Sequence, residues 1–290
     1  MKNKKLSIVI PVKNEAAGLS KLLPEIIKNH PDAELIVVND ASTDKTPQIC
    51  NSYGITPIDH PYSKGNGAAI KSGTRAATGD IIVFMDGDFQ HNPEDISRLL
   101  QKLENGYDMV IGARTSSSHA SWLRKSGNFF YNILASYMTG HKIEDLTSGF
   151  RAVKREKFLK FLYLLPNGFS YPTTSTMAFF RYGYSVGYIP IRAAKREGKS
   201  HINPLKDGIK FFTIILKIGA LFSPMRLFLP LSALFFLMGL ILYLYTFITM
   251  GRFTNMAVLL FITSLFTFLM GIISEQISSL HYRHINNQEE

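Results

Sequence analysis

Two uncharged runs near the carboxyl end constrain this chain more than any other feature. Phe228 to Met250 is 23 residues without a charged side chain, and Met256 to Ile273 adds 18 more. At about 1.5 Å per residue, the first run is long enough to cross roughly 30 Å of hydrocarbon. A bilayer core offers no water to peptide groups, so each run is expected to be a helix whose backbone is bonded internally. The pair predicts two transmembrane helices, spanning about 228–250 and 256–273, joined by a loop with Gly251, Arg252 and Asn255. Lys210, Lys217 and Arg226 before the first run and Arg283 after the second outweigh Arg252 between them. Both termini, and everything ahead of the spans, are therefore expected on the cytoplasmic side of the membrane.

The charge just before the spans agrees with this. Of the formal net charge of +10, a large share lies between Arg181 and Arg226, where nine Lys or Arg face only Glu197 and Asp207. Such segments are drawn to anionic headgroups by about 1 kcal/mol per charge near the surface. From Pro204 to Pro224, Lys206, Lys210 and Lys217 are set among Ile209, Phe211, Phe212, Ile214, Ile215 and Leu216, as in a helix lying in the membrane interface. A basic chain can also bind nucleic acid, but no helix-turn-helix, zinc-finger or RNP pattern is present, so nucleic acid is not an expected partner.

The first 110 residues read differently. Short apolar runs alternate with helical spacing in the manner of repeated βαβ units, which implies a mostly parallel sheet covered on both faces. Strands are expected at 6–11, 34–39, 54–59, 80–85 and 109–112, and helices at 20–29, 46–53, 67–78 and 93–105, the last with Asn92 as N-cap and Pro93 at the first helical position. The basic start Met1-Lys2-Asn3-Lys4-Lys5 resembles a signal-peptide n-region, but the apolar run behind it ends at Lys13-Asn14-Glu15, so it reads as a first buried strand. Cys50 is the only cysteine, which excludes an intrachain disulfide and fits a reducing compartment.

In a parallel sheet, ligands bind at the carboxyl ends of the strands. Three polar clusters fall there: Pro11 to Glu15, Asn39 to Asp44, and Asp86-Gly87-Asp88-Phe89-Gln90. Asp86 and Asp88 repel one another and stay ionised at low cost only beside a cation. Mg²⁺ or Mn²⁺ suits such oxygen ligands and completes its shell with substrate phosphates. Asp40 is placed to accept hydrogen bonds from a base, with Pro11 and Val12 offering backbone and apolar contact. Asp44 either joins that site or caps the following helix. The stretch Lys64 to Gly73, with Gly65, Gly67 and Gly73, either lets backbone approach the donor or packs a helix tightly. His91 is either a metal ligand or a support behind the motif.

Six strings then carry a family resemblance: IPVKNE at 10–15, NDASTDKT at 39–46, KGNGAAIKSG at 64–73, MDGDFQHNPE at 85–94, DLTSGFR at 145–151 and REGKS at 196–200. Ordered and dispersed over most of 6–201, they resemble glycosyltransferase family 2, and within it the dolichol-phosphate mannose synthase and bacterial polyprenyl-phosphate glycosyltransferase group. The resemblance implies an α/β GT-A catalytic domain over 1–202, a juxtamembrane amphipathic segment over 203–226 and a two-helix anchor over 227–290. It implies that Pro11, Val12, Glu15 and Asp40 hold the nucleotide, with Lys64 alongside. Asp86 would sit by the nucleotide or metal, and Asp88 and Gln90 would complete the metal site. Arg114 and Arg124 would receive the acceptor phosphate, and Arg196, Lys199 and Ser200 would close over the donor diphosphate. Arg151, Arg192 and Lys195 carry no such assignment. Two departures stand out: Gly87 occupies a spacer position where alanine is common, and the serine-rich segment after Arg114 loosens the alignment of Arg124.

The implied reaction is inverting transfer of a hexose from GDP-mannose or a UDP-sugar to polyprenyl or dolichyl phosphate, with Mg²⁺ or Mn²⁺ as cofactor. A phosphate acceptor, with a second pKa of about 6, is already largely dianionic at neutral pH and needs no general base. Arginines on one side and a metal on the other would bring an anionic nucleophile to an anionic donor. A processive polysaccharide or glycolipid synthase of the same family is the competing expectation, but the Q-x-x-R-W motif of processive enzymes is absent; the sole tryptophan, Trp122, follows Ala120-Ser121. A non-catalytic scaffold would not need complete acidic and basic motifs. Two spans per chain also leave homo-oligomerisation in the membrane open.

Overall fold

The computed structural model describes residues 4–114, 122–168, 170–192, 212, 213, 216, 217, 219, 220 and 223–286, with residues 122–128, 130 and 281–286 described by backbone alone. The chain divides into two compact units, Met1–Ile133 with Lys142–Phe211, and Leu134–His141 with Phe212–Glu290.

The first unit is built on a seven-stranded sheet of order β3-β2-β1-β4-β6-β5-β7. Its strands are β1 (Leu6–Val12), β2 (Glu34–Asn39), β3 (Ile58–Asp59), β4 (Ile81–Phe84), β5 (Met109–Arg114), β6 (Arg151–Lys154) and β7 (Val186–Ile191). All neighbours run parallel except β6, which is antiparallel to both β4 and β5. Ile8, Val9 and Ile10 of β1 and Ile82, Val83 and Phe84 of β4 are fully buried, because helices cover both faces; such strands read as continuous apolar runs. The helices are α1 (Ala16–Asn29), α2 (Thr46–Ser52), α3 (Asn66–Ala76), α4 (Asp95–Glu104), α5 (Trp122–Thr139, which passes into the second unit after Ile133), α6 (Arg155–Leu159) and α7 (Tyr171–Arg181). In α1, Leu19, Leu22, Leu23 and Ile26 recur at helical spacing and are all fully buried.

Several expected boundaries move, each for a local reason. Helix α1 begins four residues early, at Ala16, because the Asp44 carboxylate accepts from the Ala16 N–H at 3.1 Å and caps it from across the sheet. The expected strand at 54–59 shrinks to Ile58–Asp59, since Gly54 adopts φ +73° and turns the chain. Helix α4 starts at Asp95 and not at Pro93: Asn92 Oδ1 accepts from the Glu94 N–H at 3.1 Å, making a turn ahead of the helix. β6 and β7 were not expected from the sequence.

The second unit contains α8 (Pro224–Met250) and α9 (Asn255–Asn286). Within them, Pro224–Met250 and Asn255–Leu280 are long and apolar enough to cross a membrane, their most apolar 18-residue stretches reaching mean hydropathies of 2.4 and 2.5. Gly251 ends α8 in the left-handed region at φ +59°, its N–H bonded to the Phe247 carbonyl at 3.0 Å. The helix pair is tied by hydroxyls: Ser232 and Ser264 each donate to the other's carbonyl at 2.9 Å. Gly239 lets Leu260 and Phe261 approach α8 closely. Helix α9 runs past the expected end at Ile273, where Glu275 accepts from the Met225 N–H at 3.4 Å, close to the outer limit for such a bond. Most of the expected interfacial segment, 204–211 with 214, 215, 218, 221 and 222, lies outside the described residues; 212, 213, 216, 217, 219 and 220 are helical.

Candidate active site

The chain leaves β1 on one side for β2 and returns on the other for β4, which makes the carboxyl ends of β1 and β4 a topological switch point. A cleft of about 330 Å³ opens there. Pro11, Val12, Lys13 and Glu15 line it from the end of β1, Asp40 from the end of β2, Ser63, Gly65, Asn66 and Ala69 from the start of α3, and Asp86 and Asp88 from the turn after β4. Six of the expected nucleotide and metal residues thus line this one cleft: Pro11, Val12, Glu15, Asp40, Asp86 and Asp88.

The turns on this edge are fastened to one another. Asp44 accepts from the Thr46 N–H at 3.0 Å as well as from Ala16, so it caps α2 and α1 together. Asn14, at φ +56°, accepts from the Thr43 N–H at 2.7 Å, and Ser42 Oγ accepts from the Asn14 N–H at 2.9 Å. The acidic turn is held just as closely. Asp88 Oδ1 accepts from the Gln90 N–H at 3.2 Å, and Phe89 takes φ +57°. Gly87 is required by space: a Cβ there would sit 2.6 Å from Val12 Cγ1 and 3.2 Å from Glu15 Oε2. The departure from alanine is therefore matched to this chain's own β1. Gln90 does not line the cleft.

Asp40 is only 4% exposed, and its carboxylate is saturated from within the chain. Oδ1 lies 2.8 Å from His60 Nδ1 and accepts from the Lys64 N–H at 2.7 Å; Oδ2 accepts from Ser63 Oγ at 2.7 Å and from the Gly65 N–H at 2.9 Å. Burial pushes its pKa up, but the hydrogen bonds from His60, Lys64, Ser63 and Gly65 outweigh burial and bring it down to about 2. Asp40 thus shapes the loop 63–65, a use of its lone pairs that the expectation of base contact did not include.

The glycines after Lys64 serve packing. The Gly67 and Ala68 N–H groups at the start of α3 donate to the Gly168 and Asn167 carbonyls at 3.2 and 2.8 Å, and a Cβ on Gly65 would sit 2.7 Å from the Asn167 carbonyl oxygen. The N-terminal donors of α3 are spent on the chain itself. Lys64 is exposed with its ammonium 5.5 Å from the Tyr62 ring centroid, and it is not among the residues lining the cleft.

Arg114, at the end of β5, makes a two-pronged pair with Asp145: Nε to Oδ2 at 2.8 Å and Nη2 to Oδ1 at 2.9 Å, with Thr147 Oγ1 also accepting from Nη2 at 2.5 Å. Asp145 further accepts from the Thr147 and Ser148 N–H groups at 3.1 Å each. Burial alone would raise the Asp145 pKa, but Arg114 holds it below the usual carboxylate range. The Arg114 side chain stays one-third exposed, at 33%. Asp86 lies close enough for its charge to favour the Arg114 cation. His91 is buried and stacks on Phe150, with ring centroids 5.0 Å apart and planes 13° apart. Burial lowers its pKa to about 4 against the opposing pull of Asp88. His91 supports the turn from behind and does not line the cleft.

Arg124 lies in the first turn of α5, where only the backbone is described, and Arg196, Lys199 and Ser200 fall outside the described residues. Lys13 and Asn66 fell inside clusters expected at the site without being singled out, whereas sequence reasoning missed Ser63 in the cleft, His60 behind Asp40, and Asp145 with Thr147 around Arg114. Asp145 and Thr147 stood inside a quoted motif; what the sequence lacked was any sign of which residue they meet.

The donor set suits a divalent ion brought in by substrate. Among the described residues no three His, Cys, Asp or Glu gather around one point. Asp86 and Asp88 supply two carboxylates on one cleft wall, and diphosphate oxygens or water would have to complete the shell.

The profile of glycosyl transferase family 2 matches residues 7–162, more than half of the chain and all of the cleft-lining residues. The chain belongs to glycosyl transferase family 2. A second profile, the GtrB C-terminal hairpin, matches residues 223–280, the extent of α8 and most of α9. The undecaprenyl-phosphate 4-deoxy-4-formamido-L-arabinose transferase of Proteus mirabilis strain HI4320 is 34% identical over 161 residues, 52% of this chain and 49% of that protein. The dolichyl-phosphate hexose transferase of Haloferax volcanii is 26% identical over 215 residues, 73% of this chain and 93% of that protein. The chain spans about half the length of the bacterial relatives it matches. Among solved structures, Mycobacterium tuberculosis glucosyl-3-phosphoglycerate synthase with Mn²⁺, UDP-glucose and phosphoglyceric acid superposes with a TM-score of 0.63 at 20% identity, covering 75% of this chain and 80% of that one. The family 2 unit thus has a GT-A-like fold, with two apolar helices following it that are able to span a membrane.

Proposed function

We propose that this chain is an inverting glycosyltransferase that moves a hexose from a nucleotide sugar, GDP-mannose or a UDP-sugar, to polyprenyl or dolichyl phosphate. The observation that carries this reading is the pair Asp86 and Asp88 on one wall of the switch-point cleft, in a chain whose C-terminal helices match the GtrB hairpin. The activities of the Proteus and Haloferax relatives, transfer to undecaprenyl phosphate and of hexose to dolichyl phosphate, supply the acceptor class. In this reading residues 1–202 form the catalytic domain, 203–226 the membrane-proximal segment and 227–290 the anchor, with the catalytic domain and both termini in the cytoplasm.

Pro11, Val12, Glu15 and the loop shaped by Asp40 hold the nucleotide. Asp86 and Asp88 would hold Mg²⁺ or Mn²⁺, which, when bound, neutralises charge on the departing diphosphate. Arg114, fixed by Asp145, presents its cation to the acceptor phosphate, with Arg124 as second donor. Its planar fork suits phosphate oxygens, and one edge already held by Asp145 lowers the ordering cost of using the rest. The phosphate is the nucleophile as it arrives, and no side chain has to remove a proton in the transition state. Arg196 and Lys199 close over the donor side.

The test uses the full chain in membranes, with radiolabelled UDP- and GDP-sugars and polyprenyl phosphate. Label should enter the lipid phase with one donor, stop on chelation and resume with Mg²⁺ or Mn²⁺. Metal-independent transfer, or near-normal turnover by Asp88→Ala, would remove the metal assignment.

A further inference from the structure

Arg151 opens β6 and is 0% exposed. Its Nη1 donates to the Pro172 carbonyl at 3.1 Å, to Ser175 Oγ at 2.8 Å and to Thr176 Oγ1 at 3.1 Å, while Nη2 donates to the Ser148 carbonyl. The guanidinium carbon lies 5.6 Å from the Tyr171 ring centroid, and Nε has no hydrogen-bond partner among the described residues. Every group among the described residues that bonds to this cation is neutral. It also sits against the first turn of α7, the end of a helix that repels positive charge. Arg does not lose its proton in proteins, so a full charge is buried where local contacts do not balance it. An apolar side chain of similar volume would avoid that cost.

The carboxylates whose charges favour this cation are Asp145 and Asp86. Asp145 is already committed to Arg114. Asp86 is reached by a short path: Tyr171 Oη donates to the Gly149 carbonyl at 2.9 Å, and Gly149 presents bare backbone to Asp86. A Cβ at Gly149 would stand 3.0 Å from Asp86 Oδ2 and 3.3 Å from Tyr171 Oη. Tyr171 links the two, its ring against the Arg151 guanidinium and its hydroxyl beside Gly149, and a buried field is weakly screened.

We infer that Arg151 is a positioning residue, a fixed counter-charge beneath Asp86 that loosens the hold of the Asp86–Asp88 pair on a bare divalent cation and strengthens its tolerance of a nucleoside diphosphate. This rests on the proposed reading of the cleft as a metal–nucleotide site. The consequence is mutual dependence: the carboxylate pair alone holds the ion weakly, and ion and diphosphate enter and leave together.

The experiment compares wild type, Arg151→Met and Arg151→Lys as full-length protein in detergent. Mn²⁺ binding is read from the EPR signal of the free ion, and UDP and GDP binding is measured in the presence of chelator. Removing the charge should tighten Mn²⁺ by about threefold or more and weaken metal-free nucleotide by a similar factor, the size expected of one partly screened charge; Arg151→Lys should stay near wild type in both. A damaged fold weakens both ligands together, and that result, or no change in either, overturns the inference while leaving the metal reading intact. Absence of Mn²⁺ binding by the wild type with nucleotide present overturns the metal reading itself. Should Arg151→Met not fold, thermal stability of two other variants decides. Asp86→Asn should lower Tm, because Arg151 loses a favourable charge, whereas Asp88→Asn should leave or raise it by relieving repulsion. Equal shifts in the two variants overturn the inference.

Discussion

Two acidic sites flank the same cleft and use their charge in opposite ways. Asp40 receives donors on both oxygens from its own loop and His60, so its charge is consumed in building a wall. Asp86 rests on the bare backbone of Gly149, within electrostatic reach of Arg114 and Arg151. A carboxylate whose two oxygens are bonded by its own loop is scaffold, whereas one that lines the cleft within the field of two arginines has its charge set by cations that a ligand also meets. An Asp at a strand end is therefore classified by the charges around it and not by its position in the chain.

Asp88→Ala should lower transfer by about a thousandfold or more, as expected for loss of a group that stabilises transition-state charge, with Tm little changed; the check is labelled-lipid formation beside a melting curve. Asp40→Ala should do the reverse, costing about 2–4 kcal/mol of stability by stranding the Lys64 and Gly65 N–H groups and His60, with a raised KM for the nucleotide sugar. Chemical denaturation together with donor kinetics separates the two. Arg114→Ala should raise KM for polyprenyl phosphate by about tenfold or more, with donor KM near wild type, since charge-assisted bonds contribute roughly 1.5–3 kcal/mol. An unchanged acceptor dependence removes Arg114 from the site.

Acid exposes the scaffold role of Asp40. Its folded pKa of about 2 lies below the ordinary 3.8, so the stability it contributes is present above about pH 4 and is lost as pH falls through about 2. Wild type and Asp40→Asn should therefore converge in stability over that window. The smallest effect is expected in the hairpin: Ser264→Ala should cost about 0.6 kcal/mol, the average for such bonds between membrane helices, without altering the KM of either substrate.

What could be read from the sequence divides along physical lines. β1, β2, β4 and β5 were legible because burial on both faces writes an unbroken apolar run, and the polar clusters at their ends followed from topology. β7 escaped because Pro190 near its end breaks the strand pattern, which an edge position tolerates. β6 escaped because it is four residues long and begins and ends with a cation. Within the site, Asp86 and Asp88 were visible as a local motif, while Lys64 was drawn in by neighbouring glycines whose task is packing against Asn167 and Gly168. The Arg114–Asp145 pair spans 31 residues, and Arg151 finds its partners 21 to 25 residues away on α7. Such pairings carry no periodicity, so only the fold displays them.

In the proposed reaction a phosphate acceptor lets this cleft work without a base. The most direct measurement offers the full chain, with metal and its nucleotide sugar, either polyprenyl phosphate or the corresponding polyprenol at equal concentration in bilayers. Labelled product is expected from the phosphate alone, with acceptor kcat/KM rising to a plateau as pH passes through about 6, where the phosphate becomes dianionic. Comparable transfer to the alcohol would show that a base is at work and would overturn the base-free reaction.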